Sequence, residues 1–180
     1  TQCLLKLPNQ YDPLKSYPLL IGLHGNGGNA ADFIKLSKGF SKRDFIYACP
    51  EGPYQYRNRK GRFVGAYSWL LHVRDRSVWE KGDPLIEIYI LNLIKDIKQR
   101  YRISKTYLFG FSAGASTACV VGIKHWKQID GVICVAGILP IYQNYSVFTE
   151  GHIRRGNRLP VLMIYGRSDL LVSLKRGQQI

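Results

Sequence analysis

Residues 110–114 read GFSAG, a serine set between glycines in the pattern G-x-S-x-G. A short apolar run precedes it, and small helix-forming residues follow. That arrangement predicts a serine on a tight strand-to-helix turn, with its hydroxyl clear of the backbone. The chemistry it serves is acyl transfer. A neutral serine is a poor nucleophile and must be activated by a base. The peptide N–H of Ala113 opens the following helix, where the positive end of the helix dipole helps it to stabilise an oxyanion. A second N–H would come from the glycine-rich run HGNGGN, residues 24–29, with Asn26 the favoured donor. A third residue of chemical interest is Asp169, in GRSDLLV.

Each piece also has an ordinary use. G-x-S-x-G arises by chance, and Asp169 would serve as a helix N-cap. HGNGGN is glycine-rich enough to cradle phosphate. It lacks the Lys-Ser/Thr ending of a P-loop and the G-x-G-x-x-G spacing of a dinucleotide fold. His24 heads a loop that is usually structural. The three together, at three strand ends, are more specific than any one of them.

The scaffold that must hold these residues is an alternation of apolar runs and amphipathic segments. Strands are predicted at residues 19–23, in DFIYACP up to Pro50, in KTYLFG, in DGVICVAG and in LPVLMIYG. A short helix with Phe33, Ile34 and Leu36 closes near Gly39. A long loop runs from Glu51 to about Gly82. Asp83 and Pro84 then read as N-cap and first residue of a helix. Ile86, Tyr89, Ile90, Leu93, Ile94 and Ile97 recur in it at helical spacing, through Arg100. AGASTACVVGIKH is the helix after the serine, and SLKRGQQI opens another. Strands that are nearly unbroken apolar runs imply a mostly parallel sheet with helices on both faces. The ligand crevice of such a sheet lies beyond the carboxyl ends of its strands. HGNGGN, Ser112 and Asp169 each follow a strand, so all three are expected at that edge.

The chain has 180 residues, which suits a single domain over residues 1–180. No apolar run reaches the roughly 18 residues of a membrane span. No signal peptide is visible, and the absence of an initiator methionine suggests a chain that begins mid-gene or was processed. Cys3, Cys49, Cys119 and Cys134 form no C-x-x-C pair. They read as reduced core thiols, which favours a cytoplasmic location. No Cys/His pair has ligand spacing, so no metal is expected. The net charge is +14. Arg57, Arg59, Lys60 and Arg62 form one basic cluster, and Arg154, Arg155 and Arg158 another. Both are read in loops that leave carboxyl strand ends, as solvated charge or as recognition of an anionic substrate or membrane surface. Tyr54, Tyr56, Phe63, Tyr67 and Trp69 are interleaved with the first cluster. Such a mix binds nucleic acid in some proteins, but no nucleic-acid motif accompanies it. Tyr54, Tyr67 and Trp69 are expected to line an acyl or alcohol pocket instead.

Together, LHGNGGNAADF (residues 23–33), CPEGP (49–53), GFSAGA (110–115), GILP (137–140) and PVLMIYGRSDLLV (160–172) resemble the α/β-hydrolase superfamily. More narrowly, the chain looks like its phospholipase/carboxylesterase group, with acyl-protein thioesterases and polyhydroxybutyrate-depolymerase-like esterases as neighbours. The resemblance implies an α/β-hydrolase fold and a triad in the order Ser, Asp, His. Ser112 would be the nucleophile, Asp169 would orient the histidine, and Asn26 and Ala113 would supply the oxyanion N–H groups. It implies no cofactor and no metal. The substrate would be a small-molecule ester or thioester. The pattern places the histidine after Asp169, beyond one more helix and strand. His24, His72, His125 and His152 all precede Asp169. The histidine is therefore expected beyond Ile180, in a part missing from this chain. The rival is a rewired base, with His152 first and His72 second. Two other readings stand beside the esterase: a non-catalytic binding protein of the same fold, and a serine peptidase of that fold.

Overall fold

The computed structural model describes residues 2–40, 44–58, 60–69, 76–138, 148–169 and 172, with 76–83 described by their backbone alone. In chain order the elements are β1 (Cys3–Lys6), β2 (Tyr17–Leu23), α1 (Ala30–Phe33) continued by a 3-10 turn (Ile34–Gly39), β3 (Ile46–Pro50), β4 (Tyr54–Arg57), β5 (Phe63–Ser68), α2 (Arg76–Arg100), β6 (Ile103–Phe111), α3 (Ala113–Lys124), β7 (Gly131–Val135), α4 (Glu150–Arg155) and β8 (Val161–Ile164). The main sheet has the order β1-β3-β2-β6-β7-β8. Its strands are parallel except β1, which runs against β3.

Alternation within the strands serves two faces at once. Leu19, Ile21, Leu23, Ile46, Ala48 and Leu108 point to one side, where α2 and α3 cover them. Leu20, Tyr47, Cys49 and Phe109 point to the other, against α1 and its 3-10 turn. Helix α2 contributes Ile86, Ile90, Ile94 and Ile97, all buried, which is the apolar stripe of a 3.6-residue period. The mostly parallel α/β sheet read from the sequence is the one observed. Towards the ends of β6 and β8 this second face is more open among the described residues. Phe111, Leu162 and Ile164 are all about half exposed there.

The structure departs from the sequence reading in several places. The stretch after Pro50 is not one long loop: β4 and β5 form an antiparallel hairpin. Helix α2 begins at Arg76, and Pro84 lies inside it. A proline forfeits one backbone hydrogen bond, but its fixed φ is helical. The stripe of buried isoleucines holds the segment after it. Cys119 on α3 and Cys134 on β7 are joined in a disulfide, with Cα atoms 6.8 Å apart. That corrects the expectation of four reduced thiols. The cytoplasmic location rested on those thiols, so it loses its support. Among the described residues, no helix is long and apolar enough to cross a membrane. The predicted helix in SLKRGQQI lies outside the described residues.

Candidate active site

Ser112 sits between the last residue of β6 and the first of α3, with φ 52° and ψ −119°. Few non-glycine residues adopt such a backbone, and holding one there costs about 1–3 kcal/mol. The surroundings enforce it. Ser112 N–H donates to the Val135 carbonyl at 2.9 Å, while the N–H groups of Ala115 and Ser116 donate to the Ser112 carbonyl. The two flanking glycines are needed for space. A Cβ on Gly110 would run into the Gly114 carbonyl, and one on Gly114 into the carbonyls of Leu23 and His24. Strand β6, helix α3 and the end of β2 therefore meet backbone to backbone. Ser112 is partly exposed, and among the described residues none hydrogen-bonds its Oγ. Ala113 is the first helical residue, so its N–H has no acceptor one turn back in α3.

The glycine-rich loop lies directly beside the serine. A Cβ on Gly25 would sit 3.5 Å from Ser112 Cβ and 3.0 Å from the Phe111 ring. The loop is fastened from two sides. Gly27 N–H donates to the Tyr67 carbonyl at 2.9 Å, and Tyr67 N–H to the Gly28 carbonyl at 2.8 Å. The second fastening is His24, which is 1% exposed. Its Nε2 accepts the Gly52 N–H at 3.0 Å, and its Nδ1 faces the Gly25 carbonyl at 2.8 Å. Accepting at Nε2 fixes the proton on Nδ1, which then donates to Gly25. Burial lowers the His24 pKa, against the opposing pull of the Gly25 hydrogen bond and the Glu51 charge. His24 is thus a neutral tie between the ends of β2 and β3, with both ring nitrogens used.

Asn26 is in this loop, at the same edge as Ser112. Asp169 follows β8 at that edge too, two strands from β6, or about 10 Å in lateral spacing. Its Oδ1 accepts the Val172 N–H at 2.9 Å, and its own N–H donates to the Gly166 carbonyl. The fold thus brings Ser112, Ala113, Asn26 and Asp169 to one edge of the sheet.

The predicted pocket residues separate. Tyr54 and Tyr67 are partly buried on the hairpin. The charge of the nearby Glu51 carboxylate raises the Tyr67 phenol pKa. Trp69 does not face a crevice. It is 0% exposed, packs at a tilt against His24 with ring centres 5.2 Å apart, and donates Nε1–H to the His24 carbonyl at 2.8 Å. Its part is to support the glycine-rich loop from beneath.

The other histidines stand elsewhere. His125 pairs through Nε2 with Glu87 Oε2 at 2.9 Å, and Lys124 also binds that carboxylate. His152 is not on a loop at the active edge, as expected, but in α4. There its Nδ1 accepts the Thr149 N–H in a capping box. Its charged neighbours are Lys124, Arg155, Glu87 and His125, at the far end of α3. That helix has 12 residues, so Ser112 is roughly 18 Å away along it. Arg154 and Arg155 are in α4 as well, so the second basic cluster does not rim the site. His72 lies outside the described residues. Among the described residues, no group of three or more His, Cys, Asp or Glu side chains is placed to hold a metal ion.

The sequence profile of the phospholipase/carboxylesterase family matches residues 12–180. No curated protein sequence matches the chain. Among solved structures, the esterase PE8 superposes with a TM-score of 0.73 at 21% identity, over 97% of this chain and 79% of that one. Acyl-protein thioesterase 2 of Zea mays gives 0.73 at 20% identity, over 99% and 81%. A CE1 ferulic acid esterase from Anaeromyces mucronatus, solved with ferulic acid, gives 0.68 at 22% identity, over 98% and 70%. At these identities the likeness is one of fold.

Proposed function

Because the chain belongs to the phospholipase/carboxylesterase family, we propose that it is a serine hydrolase of carboxylic esters or thioesters acting through an acyl-enzyme on Ser112. The observation that carries this reading is the Ser112 backbone: a strained, partly exposed serine locked between close-packed glycines, with the glycine-rich loop against it. Ser112 Oγ attacks the acyl carbon while a histidine takes its proton. The N–H groups of Ala113 and Asn26 hold the oxyanion. The histidine then gives its proton to the departing alcohol or thiol, and water, activated in the same way, releases the acid. Asp169 orients that histidine. Among the described histidines, His24, His125 and His152 are each engaged away from Ser112 Oγ, so the base is assigned outside the described residues, beyond Ile180 by the family pattern, with His72 as the rival within this sequence. The substrate is a small-molecule ester or thioester that needs no cofactor, and Tyr54 and Tyr67 flank its approach.

The test is Ser112→Ala in the full-length protein, assayed on a p-nitrophenyl ester, with circular dichroism to confirm folding. Loss of turnover with the fold intact is expected, and wild-type turnover overturns the assignment. A second reading, a non-catalytic binding protein of the same fold, is favoured by the lack of any described hydrogen bond to Ser112 Oγ. It predicts no Ser112-dependent turnover even in the full-length protein.

A further inference from the structure

The β4–β5 hairpin stands outside the main sheet as a separate two-stranded ribbon. Its base is fastened to the glycine-rich loop through Tyr67, Gly27 and Gly28. Its tip is ordered by Asn58, whose Oδ1 accepts the N–H groups of Lys60 and Arg62. This tip carries two adjacent apolar side chains in water, Phe63 at 55% and Val64 at 50% exposure. Around them stand Arg57, Lys60 and Arg62, all exposed. No acidic residue lies between Glu51 and Asp75 in the sequence. The Arg57 guanidinium covers one face of the Phe63 ring at 4.4 Å from its centre.

We infer that the hairpin tip docks on an anionic lipid surface, with Phe63 and Val64 entering the headgroup boundary and Arg57, Lys60 and Arg62 at the phosphates. Charge complementarity names the partner as anionic, and the apolar pair narrows it to lipid. A nucleic acid would use Phe63 as a stacking platform, but Arg57 already covers a face of that ring. Val64 offers a polyanion no contact, whereas a bilayer takes both side chains. Basic side chains fit the boundary well, since their stems lie along apolar surface while their heads stay with the phosphates. Because the hairpin is bonded to the loop beside Ser112, docking would turn the serine edge of the sheet towards the membrane.

The test uses the full-length protein in vesicle co-sedimentation, with phosphatidylcholine alone and with phosphatidylcholine mixed with phosphatidylserine. Binding to the mixed vesicles is expected, falling with added salt. Each cation near such a surface is worth about fivefold in partitioning, so Lys60→Gln with Arg62→Gln should weaken binding roughly 25-fold. Phe63→Ser with Val64→Ser should weaken it by about tenfold or more. Val64→Ser alone, outside the Arg57–Phe63 contact, serves if that pair fails to fold. Equal binding to both vesicle types, or none, overturns the inference. So does apolar-variant binding equal to wild type together with charge-dependent capture of a single-stranded oligonucleotide, which would mark a polyanion site. The readout is binding, so it stands or falls separately from turnover on Ser112.

Discussion

His24→Ala tests whether the histidine nearest the serine is a structural tie or a base. The substitution removes the acceptor of the Gly52 N–H, a buried bond of 3.0 Å. An orphaned buried donor costs about 1–3 kcal/mol. The void left by the ring, 5.2 Å from Trp69, adds to it, for a total of about 2–5 kcal/mol. In a chain of this size that lowers Tm by roughly 5–15 °C. His24→Gln returns an acceptor oxygen near the Nε2 position and an amide donor for Gly25, so it should recover much of the loss. The pH dependence has a definite sign. Burial holds the folded pKa below the ordinary 6.5, so below that pH the unfolded chain binds a proton that the folded chain refuses. Wild-type stability should therefore fall as pH drops through about 6.5 and below, and His24→Gln should flatten that slope. Thermal melts from pH 8 to 5, paired with ester turnover of the full-length protein, read both effects. A His24→Gln protein that melts like wild type yet has lost all turnover would refute the reasoning and make His24 the base. An unchanged Tm for His24→Ala would refute the tie.

Three further outcomes follow from the geometry. Gly114→Ala should prevent soluble folding or depress Tm severely, since its Cβ would meet the carbonyls of Leu23 and His24; a soluble variant with wild-type Tm would show that the elbow is looser than described. Glu87→Gln should cost stability and flatten the acid limb of the pH–stability curve. Burial raises the Glu87 pKa, but the hydrogen bonds and charges of His125 and Lys124 outweigh it and leave the pKa below 4.5; wild-type stability is thus present above 4.5 and lost as pH falls through the lower folded value, and an unchanged acid limb would disprove the coupling. In the full-length protein, Asp169→Asn should lower kcat by up to about 10⁴-fold with little change in Tm, as in the triad template, and full activity in the variant would remove Asp169 from the mechanism.

The sheet was legible because its strands are apolar runs with glycine or proline at their ends. The hairpin was not. Its strands are short, and polar and charged residues such as Gln55 and Arg57 sit among the aromatics, so the alternation reads as loop. Asp83 and Pro84 carry every mark of a helix start, yet the helix already runs from Arg76 through them, and nothing in the local sequence tells a proline inside a helix from one at its first residue. Trp69 misled because an aromatic among basic residues does not reveal which side of the chain is buried. His152 misled for a topological reason. A parallel crossover from β7 to β8 must carry the chain back to the amino edge of the sheet, so residues late in it lie far from the carboxyl edge. The disulfide left no mark in spacing, since it depends on α3 lying over β7.

The Ser112 conformation also bears on how this chain has been shaped. At φ 52° glycine would sit without strain and serine does not. Replacing Ser112 by glycine should therefore raise thermal stability, or at worst leave it unchanged. Among the described residues, none hydrogen-bonds Oγ to offset that strain. In a lineage that used this fold only as a scaffold, drift at this codon would run downhill toward glycine with nothing to stop it. A serine held there against that gradient is the trace expected of selection acting on its hydroxyl.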